Sequence, residues 1–164
     1  MLAAPLPDNE SDRLQALRDL LILDTPPEQR FDRITAFAAS EFDVPIVLVS
    51  LVDSQRQWIK SRVGTTLCET GRDVSFCGHA ILKPQLFVVE DALQDPRFAD
   101  NPLVTGPPHV RFYAGSPLSA PDGQRVGTLC LIDTRPRGLD AVDRAILDTL
   151  RTLVEGELAP GVHP

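Results

Sequence analysis

Apolar and polar positions divide the chain into helical and extended stretches. "NESDRLQALRDLLIL" opens with Asn9 as an N-cap, and Leu14, Leu17 and Leu21 fall on one helical face. In "DTPPEQRFDRITAFAASEF" Thr25 is placed to cap a second helix, with Pro26 at its first position and Glu28 closing a capping box. Phe31, Ile34, Ala38 and Phe42 form the buried stripe of that helix. "PIVLVSLVD", Pro45 to Asp53, is almost wholly apolar, the pattern of a strand covered on both faces. "DSQR" turns the chain and "QWIKSRV" returns as the second arm of a hairpin. A short helix, "SFCGHAIL", and a short strand, "LFVVED", follow. "VRFYAGSPL" and "RVGTLCLID" form a second hairpin around the turn signal Asp122-Gly123. Leu139 to Leu158 is a terminal helix with Ile146, Leu150, Leu153 and Val154 on one face, stopped by Pro160 and Gly161.

This order predicts one α+β domain over residues 10–158, with a mostly antiparallel sheet. Residues 1–9 are a Pro-rich disordered lead-in and 159–164 a tail. The end helices cover one sheet face. The short helix and the long segment "ALQDPRFADNPLVTGPPH" lie over the other, where a pocket forms.

The 164 residues suit one core, and 43% hydrophobic with 24% charged residues is ordinary globular composition. A net charge of -7 argues against a nucleic-acid surface or an anionic membrane as partner. No apolar run is long enough to span a bilayer, and the start lacks a basic secretory n-region. Three irregularly spaced cysteines make no disulfide framework, so a reducing cytoplasm is the expected setting.

Three motifs in order, "RDVSFCGHAI", "DPRFADNPLVTGPPHVRFYAGSPL" and "GTLCLID", resemble the GAF family of small-molecule sensor domains. The lead-in "LLILDTPPEQRFDRIT" is similar to the bacterial branch found before histidine kinases and diguanylate cyclases. The resemblance implies a central antiparallel sheet of five to six strands and a ligand pocket under residues 77–108. It also implies terminal helices that form a homodimer and carry the output signal. The function it implies is regulatory: binding an unidentified small-molecule ligand and acting on a kinase or cyclase, without enzymatic activity. The chain ends six residues after Leu158, so it reads as free-standing or as a part of a longer sensor.

The chemistry concentrates at Cys77 and His79. On a helix, residues two apart point about 200° apart, so a Cys–His dyad is disfavoured. Cys77 shares a face with Ala80 and Ile81 and is expected in the core; His79 is expected on a pocket wall. Near a helix start, Cys77 is also open to redox chemistry. An enzymatic alternative comes from free methionine-(R)-sulfoxide reductases, stand-alone GAF proteins whose "VCG" step "FCG" resembles; here it would use Cys68 and Cys77. Their attacking cysteine precedes the last hairpin, and "HVRFYAGSPL" has none there. Other cofactors find no match. A bilin site expects Cys followed directly by His, the Asn-Lys-Phe-Asp-Glu signature of cyclic-nucleotide GAF domains is missing, and Cys68, Cys77, His79 and His109 fit no zinc spacing. The remaining pocket candidates are Trp58, Phe98 as a loop plug, Arg111 and Tyr113 on one strand face, and Thr128. Cys130 is expected as core.

Overall fold

The computed structural model describes residues 2–159. The rest of the expected tail, with the Pro160–Gly161 stop, lies outside the described residues. The elements are α1 (Glu10–Asp19), α2 (Gln29–Phe42), β1 (Ile46–Val52), β2 (Arg56–Val63), β3 (Glu69–Gly71), α3 (Phe76–Ala80), β4 (Phe87–Val89), α4 (Pro102–Thr105), β5 (Phe112–Ser119), β6 (Arg125–Asp133) and α5 (Ala141–Leu158). The strands form one antiparallel sheet in the order β3-β2-β1-β6-β5-β4. This is the expected α+β class with six strands. Among the described residues, no helix is long and apolar enough to cross a membrane.

Two apolar cores flank the sheet. Leu17 of α1, Phe31 and Ala38 of α2, and Leu147, Leu150 and Val154 of α5 pack with Val47, Val49, Phe112, Leu129 and Leu131. On the other face, Ile46, Leu48, Ile59, Tyr113 and Cys130 pack with Phe76, Cys77, Ile81, Phe98 and Val104 from α3 and the long loop. All of Ile46–Val52 is buried, as the unbroken apolar run predicts.

Several boundaries differ from the sequence pattern. Helix α1 stops at Asp19, and Leu21 takes a left-handed backbone (φ 54°) with 82% of its surface exposed. The buried stripe is therefore Arg13, Ala16, Leu17 and Leu20 rather than Leu14, Leu17 and Leu21. Helix α2 begins at Gln29, so Thr25 does not cap it; its hydroxyl donates to the Ile22 carbonyl and accepts from Lys60. A capping box does form on α5, between Asp140 and Asp143. On α5 the inward face uses Leu147 and leaves Leu153 exposed. Residues 2–8, read as a disordered lead-in, run past α3. There the Leu2 N–H donates to the Arg97 carbonyl, and the Leu2 carbonyl meets His79 Nε2 at 3.0 Å.

The β1–β2 pairing carries a bulge. Val49 pairs with Ser61 and Ser50 with Ile59, leaving Lys60 as the extra residue. Alternation breaks there. Lys60 and Ser61 both reach the helix layer, Ser61 donating to Asp32 Oδ1 at 2.6 Å, while Gln57 and Ile59 face the other side.

Candidate functional site

A pocket opens between the sheet and the segments that carry α3 and α4. Ile46 and Leu48 of β1, Ile59 of β2, Val110, and Cys130 and Ile132 of β6 form its floor; Phe76 and Cys77 form one wall. Thr65 and Leu67 after β2, Thr70 of β3, Leu103 of α4 and Pro108 frame it. Its cavity volume is about 60 Å³. None of these lining residues is an acid, lysine, arginine or histidine; Gln57, Tyr113 and the threonines supply the side-chain oxygen and nitrogen atoms.

Local sequence explains how α3 presents Cys77. Ser75 is extended and caps the helix, its hydroxyl accepting from the Gly78 N–H at 3.2 Å. Phe76 stacks on Phe98 with ring centroids 4.1 Å apart, so the loop plug braces the pocket wall from behind. Cys77 then points at the sheet. Its Sγ lies 3.0 Å from the Tyr113 hydroxyl and 3.0 Å from Thr128 Oγ1. The Tyr113 ring lies over Gly115, where a Cβ would sit 2.7 Å from ring atom Cε1 and closer still to the hydroxyl. A glycine is needed at that position for the tyrosine to reach the cysteine.

Burial pushes the Cys77 thiol up. Hydrogen bonds from Cys130, Thr128, Tyr113 and Ser50 outweigh it and hold the group at about 7. Cys130, bonded to Cys77 and buried, is raised well above its ordinary value, and burial with the neighbouring sulfurs raises Tyr113 likewise.

The candidate residues separate into three places. Cys77 and Tyr113 line the pocket, and Thr128 lies against Cys77. His79 and Phe98 sit behind α3. His79 lines a different hollow with Lys83, Phe87 and Arg97, and its ring meets Phe98 edge-on at 4.9 Å. Burial lowers its pKa below the ordinary histidine value. Cys77 and His79 make no dyad: the imidazole bonds to Leu2 and the thiol to β5 and β6. Trp58 and Arg111 are elsewhere. Trp58 is buried in the helix-side core and not in the pocket, because its side chain points to the sheet face that the helices cover. Arg111 precedes β5, so strand alternation does not reach it; its Nη1 donates to the Val104 and Val110 carbonyls at 3.0 Å and ties down the α4 loop.

Cys68 is exposed, with its thiol on the Thr66 carbonyl, whereas Cys77 is buried; all three cysteines are free. The two cysteines of the reductase alternative thus do not share a cavity. Sequence reasoning missed Ser50 and Gln57. Ser50 alternates with Leu48 and Val52 along β1, a signal that becomes readable once the pocket face is known.

The chain is 43% identical over 155 residues to a cyclic di-GMP phosphodiesterase of Pseudomonas aeruginosa, matching 94% of this chain and 26% of that protein. The chain therefore spans about a quarter of that relative's length. Its fold is similar to the GAF domain of an Acinetobacter phosphoenolpyruvate-protein phosphotransferase (TM-score 0.62, 17% identity, 90% and 92% of the two chains). It is also similar to the free methionine-R-sulfoxide reductase of Neisseria meningitidis (TM-score 0.65, 19% identity, 96% and 95%). A family model for the GAF domain matches residues 26–158, and with the six-stranded antiparallel sheet under three helices this establishes that the chain belongs to the GAF domain family.

Proposed function

We propose that the chain is a ligand-sensing regulatory domain whose pocket takes a small, neutral and mainly apolar molecule. The observation that carries this reading is the lining: aliphatic and aromatic side chains with a few neutral polar atoms and no guanidinium, ammonium or carboxylate. A phosphate or carboxylate ligand calls for a charged or strongly polar cradle, which suits this lining poorly. The phosphodiesterase relative supports the same view. It is about four times as long as this chain, so its hydrolytic part has room outside the matched region. The output would be a kinase, cyclase or phosphodiesterase, joined or separate, reached through α1, α2 and α5 in a cytoplasmic homodimer.

Native mass spectrometry of protein purified from its own host tests the reading, with a retained neutral small molecule expected. That molecule, added back at about 100 times its dissociation constant, should stabilise the domain by about 2.7 kcal/mol. Leu103→Trp, which fills the mouth, should abolish the effect. Retention of an anionic ligand in this pocket would overturn it. The reductase alternative predicts turnover of free methionine-(R)-sulfoxide with a thioredoxin-type reductant; no turnover is expected.

A further inference from the structure

The pocket wall contains one polar network, and it converges on a sulfur. The Gly78 N–H donates to Ser75 Oγ, and the Ser75 hydroxyl donates to Gln57 Oε1. Gln57 Nε2 donates to Ser50 Oγ at 3.2 Å, which leaves the Ser50 proton for Cys77. Each link fixes the direction of the next. Tyr113 and Thr128 place two more hydroxyls 3.0 Å from the same sulfur, and Cys130, two residues after Thr128 on β6, lines the same pocket as Cys77. Hydroxyls on β5 and β6 within reach of the sulfur favour the thiolate form of Cys77, whose pKa they lower, while that of Cys130 is raised. The arrangement does not involve His79, whose ring bonds to the Leu2 carbonyl instead. Both cysteines are among the residues that line the apolar pocket.

We propose that Cys77 and Cys130 form a thiol redox centre that reacts with small organic hydroperoxides entering the pocket. The proposal rests on the reading of this pocket as a small-molecule site. The Cys77 thiolate attacks the distal peroxide oxygen: an S–O bond forms, the O–O bond breaks, and two electrons pass from sulfur to the peroxide. The alkoxide leaves and takes up the proton that Cys77 had released, giving an alcohol and a sulfenic acid. The Cys130 thiol then attacks Cys77 sulfur. An S–S bond forms, the S–O bond breaks, and the hydroxyl leaves as water with the Cys130 proton. The disulfide ties α3 to β6 and removes the acceptor on which the hydroxyls converge, so oxidation alters the pocket wall.

The reduced protein is treated with stoichiometric cumene hydroperoxide at neutral pH, alkylated and mapped by peptide mass spectrometry. The expected result is a Cys77–Cys130 disulfide that forms at least about ten-fold faster than any oxidation of exposed Cys68. In Cys130→Ser, dimedone should trap the sulfenic acid on Cys77. Thr128→Val, or Tyr113→Phe should that variant not fold, should slow the reaction about ten-fold. The proposal is overturned if Cys68 oxidises as fast as Cys77, or if a folded Thr128→Val or Tyr113→Phe protein reacts at the original rate. The unreactive analogue 2-phenyl-2-propanol separates this proposal from the pocket reading. If it shifts the methyl resonances of Leu48, Ile59, Val110 and Ile132 while Cys77 stays reduced, the pocket stands and the redox centre falls. If it shifts none of them and Cys77 stays reduced, both fall.

Discussion

Lys60 shows how a charge is kept inside this fold. Its side chain has no exposed surface, yet Nζ lies 2.7 Å from Thr25 Oγ1, 2.6 Å from the Pro26 carbonyl and 2.6 Å from Glu28 Oε2. Lys60→Ala removes three contacts at once together with the buried stem, at an expected cost of about 3–4 kcal/mol in urea unfolding. Lys60→Met keeps the stem and should cost roughly half as much. A loss below 1 kcal/mol for Lys60→Ala would show that the ammonium contributes little. Glu10 is the second case. Burial pushes its carboxyl up, but Arg13 and Arg72, at 2.8 and 2.5 Å, more than offset this and hold it at about 2 against an ordinary 4.5. The folded-state value is depressed, so this contribution is complete above about pH 4.5 and disappears as pH falls to about 2. Glu10→Gln should therefore flatten the acid limb of the stability curve in that window, and an unchanged limb would refute the assignment. Neither the burial of Lys60 nor the pairing of Glu10 was legible from sequence. An isolated Lys or Glu in a polar segment reads as solvated, and only the partners supplied by distant segments make burial affordable.

At the level of elements, patterning was legible wherever one rule acted alone. The apolar run of β1 and the Asp122-Gly123 turn, with Gly123 at φ 90°, appear as the sequence predicts. The readings that failed lie where a second constraint intervenes. The bulge at Lys60 breaks the simple alternation along the second arm of the first hairpin, so that Lys60 and Ser61 both reach the helix layer. Helix α1 ends at Asp19, two residues before the predicted stripe is complete, and Leu21 takes a left-handed turn. The candidate site was legible as a region, since the segment around Cys77 does cover a pocket. Its donors were not, because Ser50, Tyr113 and Thr128 come from three strands whose shared face the chain does not announce. Gly127 tests the central pairing. A Cβ there would lie 2.9 Å from Leu51 Cα and closer to the Ser50 carbonyl, both main-chain atoms of β1 that cannot swing aside. Gly127→Ala should destabilise the domain by about 3 kcal/mol. Because Ser50 is displaced, it should also slow alkylation of Cys77. A stable variant with altered Cys77 reactivity, or a destabilised one with unaltered reactivity, would separate these two consequences and break the proposed link between them.

For the whole molecule the question is what the helix layer does with its outer face. Arg30 at the start of α2 donates to the Glu157 carbonyl near the end of α5, and Arg137 before α5 donates to the Phe42 carbonyl at the end of α2, so the two helices run antiparallel side by side. Their inner residues are spent on the sheet: Leu147, Leu150, Val154 and Leu158 are buried within the monomer. What remains outside is still apolar. Phe37 on α2 is 53% exposed, and on α5 Val142 is 66% and Leu153 53% exposed. Gly156, with nothing within 4 Å of an added Cβ, continues the α5 face toward its end. Large apolar side chains grouped on one layer mark a contact surface more often than singly scattered ones do. We predict a homodimer through this layer, burying on the order of 1,200–2,000 Å² in total if stable. Light scattering at tens of micromolar should give twice the chain mass, and Leu153→Glu should return a folded monomer, because it places a charge in the seam without touching the inner face. Gly156→Ala provides an internal check. In a monomer the new methyl meets nothing and should stabilise α5 by up to about 1 kcal/mol through helix propensity alone. In a dimer packed along this face it should instead weaken association. A monomeric mass for the unmodified protein, together with simple stabilisation by Gly156→Ala, would show that the outer face is solvent-facing and that any output passes through a different surface.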